Sequence, residues 1–270
     1  MGKSAESVSQ ILAKLESFYG QQEPSWPTDP YLFLIWWYSG YPASDARCSK
    51  GFESLSKEVG TSVTQILAAR PAKLANALKP GGMLSEVRAE RLKEVAARVK
   101  DEFGSDLRAA LVGPIAQVRK TLKSFPSIGD PGADRILVFA GITPVAAIPS
   151  NCPYVLVRIL SGQEGKNYSA TYREAQQAIE AEIPAKFDTR IRAYLLLKRH
   201  GQETCKASNP KCPECPVNTT CAFFAAKSKS RSPKKTASAT TCHSERGTDS
   251  VPKEEPEFLD LSASKKGEKQ

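Results

Sequence analysis

Four cysteines within seventeen residues constrain this chain more than any other feature. Cys205, Cys212, Cys215 and Cys221 form a C-x6-C-x2-C-x5-C run, entered through His200-Gly201. A thiol is reactive, so four gathered together need a reason. Disulfides are the weakest of three readings, because Met1 to Gln10 is polar and no apolar signal region follows. Structural zinc fits the Cys212-x-x-Cys215 knuckle and a tetrahedral four-thiolate site. A [4Fe–4S] cluster fits as well, since four cysteine thiolates are its usual ligands. Spacing alone leaves zinc and iron–sulfur open. Pro210, Pro213 and Pro216 stiffen the loop, and Lys206 and Lys211 make it basic.

The chain of 270 residues carries a net charge of +9. From Lys227 onward it holds ten basic and seven acidic residues, so two thirds of the excess falls on residues 1–226. A basic body points to a polyanionic partner. The stretch 227–270 is Ser, Lys, Thr, Pro and Glu with few large apolar residues, which predicts a disordered tail. Its Lys227 to Lys235 run can add salt-sensitive DNA attraction, and Cys242-His243 is too isolated for a metal role. Tyr31 to Tyr38 is apolar but far short of a membrane span, so no membrane association is expected. Met1-Gly2 does not continue as a myristoylation signal, since Glu6 stands where Ser or Thr is wanted. Reduced cysteines without a signal predict an intracellular protein, cytoplasmic or nucleoid, or nuclear in a eukaryote.

Apolar spacing reads as helix after helix, which predicts an all-α fold. Val8, Ile11, Leu12, Leu15, Phe18 and Tyr19 share a face of a first helix that Ser4 would cap. Pro30 opens a second through Trp36-Trp37, and a third runs from Ser44 to near Gly60. Short helices are expected at 62–69 and 72–78, then a long one carrying Val87, Leu92, Val95, Val99 and Phe103. Further helices are expected at 171–183 and 187–200. Within this series, 115–125 and 133–139 flank the turn Pro126-Ser127-Ile128-Gly129-Asp130-Pro131-Gly132, a helix–hairpin–helix. Gly129 would supply a conformation that a β-carbon resists, Asp130 would cap, and Pro131 would take the first helical position. Such a turn aims backbone N–H groups outward, a cradle for a phosphate, although an ordinary αα-hairpin has the same outline.

Hairpin and cysteine run together carry more than either alone. Phe125 to Ala133, followed about 70 residues later by the cysteine loop, resembles the endonuclease III-like branch of the helix-hairpin-helix DNA glycosylases. The resemblance spans roughly residues 29–221. It implies two helical lobes: one a bundle over about 29–139, the other the N-terminal helix with the chain from Ser150, closed by a [4Fe–4S] loop. It implies a monomer on double-stranded DNA in base-excision repair. Cys205, Cys212, Cys215 and Cys221 would then hold the cluster rather than zinc. Ser127, Ile128, Gly129 and Gly132 would grip DNA, with Lys166 as a further contact. Tyr38 to Asp45 resembles the segment from which the family wedges a side chain into the gap left by a flipped base. Tyr41 is the wedge candidate, weighed against a tyrosine at a helix end. Domains are expected at 1–28 (N-terminal helix and linker), 29–201 (glycosylase-like), 202–226 (cluster loop) and 227–270 (tail).

The sequence departs from the family at its chemistry. The lysine that forms a Schiff base in bifunctional members falls on Pro131, and the aspartate that supports attack at the sugar falls on Pro149, within Val145 to Arg158. Proline can neither activate water nor stabilise a cationic sugar. Asp130 reads as a cap, Asp134 as a solvated helix residue and Cys152 as a small buried thiol. Arg158 and Arg199 can meet phosphates or simply be solvated, and His200 reads as a packing residue. No catalytic residue is therefore assigned. The expectation is a DNA-binding member with lost or altered catalysis. The alternatives are a monofunctional glycosylase without lyase activity, and a metal-stapled protein-interaction module.

Overall fold

The computed structural model describes residues 6–230, and these form an all-helical body. Thirteen α-helices follow one another among the described residues: α1 Val8–Tyr19, α2 Pro30–Tyr38, α3 Asp45–Glu58, α4 Val63–Ala68, α5 Pro71–Leu78, α6 Ser85–Phe103, α7 Leu107–Ala110, α8 Ile115–Lys123, α9 Asp130–Phe139, α10 Tyr154–Leu160, α11 Tyr168–Glu182, α12 Phe187–Glu203 and α13 Ala222–Ser230. No helix among them is long and apolar enough to cross a membrane. The Ser4 cap, the tail beyond Ser230 and Cys242-His243 lie outside the described residues. Ser7 does the capping of α1 instead, its hydroxyl accepting from Gln10 N–H at 3.2 Å while Gln10 Oε1 accepts from Ser7 N–H at 3.0 Å. The polar stretch expected from Lys227 begins inside α13.

Two apolar cores organise these helices. The first gathers α2 to α9 around Trp26, Phe33, Trp36, Leu92, Phe125 and Phe139. The second gathers α1, α10 and α11 with Cys205, Val217 and Cys221. The helix α12 serves both, giving Tyr194 and Leu195 to the first and Ala193, Leu196 and Leu197 to the second. The helix α2 is apolar on every side because it is surrounded, as a central helix must be. Asp29 accepts from Leu32 N–H at 3.0 Å and Pro30 pre-sets the first turn, so its start is well specified. Removing the fully buried Trp36 side chain would cost about 3–5 kcal/mol.

Where the two cores meet, two buried cations share a half-buried carboxylate. Asp45 Oδ2 lies 2.7 Å from Lys198 Nζ and 3.1 Å from Arg135. The Arg135 guanidinium sits 3.8 Å above the Trp26 ring, a cation–π contact inside the protein. Nearby, Arg88 donates to the carbonyls of Ser39, Gly82 and Met83 and so ties two turns together. The approach is close enough that only glycine fits opposite Ser39: a β-carbon on Gly51 or Gly81 would stand 2.2 or 1.9 Å from that carbonyl oxygen.

Candidate functional site

The hairpin is built by α8 and α9. Tyr38 donates to the Pro126 carbonyl and anchors the turn to α2. Gly129 does not adopt the special conformation expected of it: its φ is −94°, and a β-carbon there would meet only Pro131 Cδ at 3.8 Å. The left-handed residue is Ser127, at φ 59° and exposed. Asp130 is likewise not the cap. Gly129 holds that position, while Asp130 is the first helical residue and pairs with Lys123 at 2.6 Å, which moves Pro131 to the second. Ile128 is buried and pins the turn, and Gly132 packs against it. The amides of Gly129, Asp130 and Gly132 donate to no backbone acceptor among the described residues. Being at a helix start, they form a ready anion site.

Beside this turn lies a cavity of about 410 Å³ walled by Arg119, Asp130, Pro131, Asp134, Tyr168, Tyr172, Arg173 and Gln176. Asp134 is here, and it is not solvated: only 2% of it is exposed. Its Oδ1 accepts from Arg119, Nε at 2.9 Å with the second nitrogen at 2.7 Å, and its Oδ2 from the Tyr172 hydroxyl at 3.0 Å and Gln176 Nε2 at 3.1 Å. Three hydrogen bonds and the Arg119 ion pair together hold the buried carboxylate. Burial, reinforced by Asp134, drives the Tyr172 phenol far above its ordinary range, so it stays a donor. Pro149 is buried, and its carbonyl accepts from Cys152 N–H at 3.1 Å. Cys152 is the inert thiol expected, pushed up to about 12 by burial.

Tyr41 lies in the turn that follows α2, 38% exposed, with its ring stacked on Trp37 at 4.6 Å. Next to its turn, held by the same Arg88 clamp, Met83 and Leu84 are 89% and 65% exposed. Sequence reading passed over this pair, although two large apolar residues after Gly81-Gly82, outside any helical period, were the signal. Lys166 is exposed on the loop before α11, apart from the hairpin turn in sequence.

The four cysteines of the loop do converge. Cys205, Cys212, Cys215 and Cys221 line one small apolar cavity with Ile159, His200, Phe223 and Phe224. Among the described residues no three His, Cys, Asp or Glu side chains come close enough to hold a single ion. Burial raises the Cys205 and Cys215 thiols to about 11. His200 is fully buried, with Nδ1 2.9 Å from the Tyr19 hydroxyl and Nε2 3.6 Å from Cys215 Sγ. Burial lowers it to about 4, so it is neutral at pH 7 and serves packing and hydrogen bonding. Arg158 is not a surface cation but the brace of this loop. It donates to the Lys206 and Ala207 carbonyls at 3.0 and 3.2 Å, pairs with Glu164, and lies over Tyr154 and Phe223.

No protein-family model matches the chain. Its sequence is similar to endonuclease III of Thermotoga maritima, 24% identical over 202 residues, covering 75% of this chain and 87% of that one. It is also similar to a thymine-DNA glycosylase of Aeropyrum pernix, 21% identical over 221 residues, covering 81% and 95%. A solved non-covalent endonuclease III–DNA complex superposes with a TM-score of 0.64 at 19% identity, over 83% of this chain and 99% of that one.

Proposed function

We propose that this chain, which carries the fold of the endonuclease III-like helix-hairpin-helix glycosylases, binds double-stranded DNA and has lost the family's excision chemistry. One observation carries the reading. The positions where the resemblance puts amine and carboxylate are Pro131 and Pro149, one in the cavity wall and the other buried. The carboxylate nearest to a substitute, Asp134, is tied up in three hydrogen bonds and an ion pair with Arg119, which favours a structural role over that of a general base. DNA binding itself draws support from the hairpin amides of Gly129, Asp130 and Gly132, the exposed Ser127 and the basic body. Tyr41, Met83 and Leu84 are exposed apolar side chains of the kind that wedge between bases, and Lys166 adds charge.

The cysteines are proposed to hold a [4Fe–4S] cluster. The donor set fits, because four thiols line one small apolar cavity and four cysteine thiolates are the usual ligands of such a cluster. Bound there, the cluster supplies structural cross-linking of the loop, and Lys206 and Lys211 then present charge toward DNA.

A second reading, base release without strand cleavage, draws on the position of Asp134 in the cavity and on the relatives' names. Incubating the full chain with duplexes carrying uracil, thymine mismatches or oxidised bases separates the two. The first reading expects salt-sensitive binding and no released base. Release from any of them overturns it.

A further inference from the structure

Tyr19 ends α1 and reaches across to the entrance of the cysteine loop. Its hydroxyl lies 2.6 Å from Thr204 Oγ1 and 2.9 Å from His200 Nδ1. The other ring nitrogen of His200, Nε2, is 3.6 Å from Cys215 Sγ. His200 is fully buried, so both of its nitrogens must be served inside the protein. Thr204, Tyr19, His200 and Cys215 thus form one line of hydrogen bonds. The line can run in either direction, and each direction belongs to one tautomer of the imidazole. Beside a Cys215 thiol, the S–H can donate to Nε2 and Nδ1–H to the Tyr19 oxygen. Beside a thiolate, a lone pair on Nε2 would face an anion. Nε2 must then carry the hydrogen, Tyr19 donates to Nδ1, and Thr204 donates to Tyr19.

We infer that His200 is a positioning residue for the cysteine loop, its Nε2–H donating to the Cys215 thiolate in a tautomer held by the Tyr19 and Thr204 hydroxyls. This rests on the reading above that the four cysteines hold a [4Fe–4S] cluster, because ligation requires the thiolate. Backbone amides already serve two of the sulfurs, Val217 at Cys215 and Phe223 and Phe224 at Cys221. Those donors are fixed by the course of the loop. The donor of His200 is different, since its direction is set by a side chain 181 positions away in the chain. An N–H aimed at a thiolate strengthens as the sulfur gains negative charge, so it favours the reduced state of whatever the sulfur ligates. The N-terminal helix α1 therefore contributes to the electronic setting of a loop at the other end of the fold.

The test measures the reduction equilibrium of the iron–sulfur group at an electrode, using the full native chain and three variants. His200→Gln, whose amide offers an N–H near the place of Nε2, is expected to match the native chain. His200→Leu should shift the equilibrium about tenfold toward the oxidised form while keeping its iron and sulfide. Tyr19→Phe removes only the hydroxyl and should shift it the same way by a smaller factor, which decides the matter if His200→Leu does not fold. No shift in His200→Leu or in Tyr19→Phe overturns the inference. An equal shift in His200→Gln overturns it too, because burial rather than donation would then be the cause. A native chain without iron and sulfide removes the cluster reading itself, and the inference with it.

Discussion

Asp45 is the residue on which the junction of the two cores depends. It is the shared anion for Arg135 and Lys198, so its loss leaves two buried cations without a counter-charge. Asp45→Asn is expected to lower stability by about 3 kcal/mol in denaturant unfolding. Burial alone would raise the carboxyl, but Arg135 and Lys198 outweigh it and hold it below its usual value. A carboxyl lowered in the folded state adds stability above its unfolded value of about 3.8, and that contribution fades as pH falls through the lower folded value. The acid limb of stability against pH should therefore flatten in Asp45→Asn, and an unchanged limb would refute the role. Asp134 shows why such residues resist sequence reading. On a helical period it looks solvated, yet Arg119, Tyr172 and Gln176 come to it from two other helices and make burial tolerable. The proline substitutions at 131 and 149 were legible, because a missing amine or carboxyl is visible in the letters alone.

At the scale of elements, the hairpin was located from its residues but its internal roles were redistributed. Turn position followed from Pro, Gly and Asp, whereas the choice of Ser127 rather than Gly129 for positive φ depends on how Ile128 packs. That geometry gives a clean variant. Gly129 has ordinary φ and room for a side chain, so Gly129→Glu should fold normally and set a carboxylate against the amides. Duplex affinity should drop about tenfold and the salt dependence should lose about one phosphate contact. Unchanged binding would move DNA elsewhere on the surface. The long helices α6, α11 and α12 were readable from their apolar period, with boundaries shifted by a few residues. The four-residue α7 offers too few turns for a period, and α13 was hidden within a run that begins to look like tail.

For the molecule as a whole, the cysteine loop closes the second core, with Cys205 and Cys221 counted among its buried residues. Binding of the proposed cluster would stabilise the folded state by mass action. Cys212→Ser is expected to remove the iron-dependent visible absorbance and about 2 kcal/mol of stability, or roughly 4–8 °C of Tm. Equal zinc content with no iron in the native protein would contradict the assignment. The central claim is a glycosylase fold that keeps its grip on DNA after its chemistry has gone. Single-turnover base release by the native chain and by Pro149→Asp, on one panel of damaged and mismatched duplexes, tests it most directly. The account predicts no release by the native chain and measurable release by the variant, which regains the carboxylate. Release by the native chain, unchanged in the variant, would contradict it and place the catalytic group elsewhere.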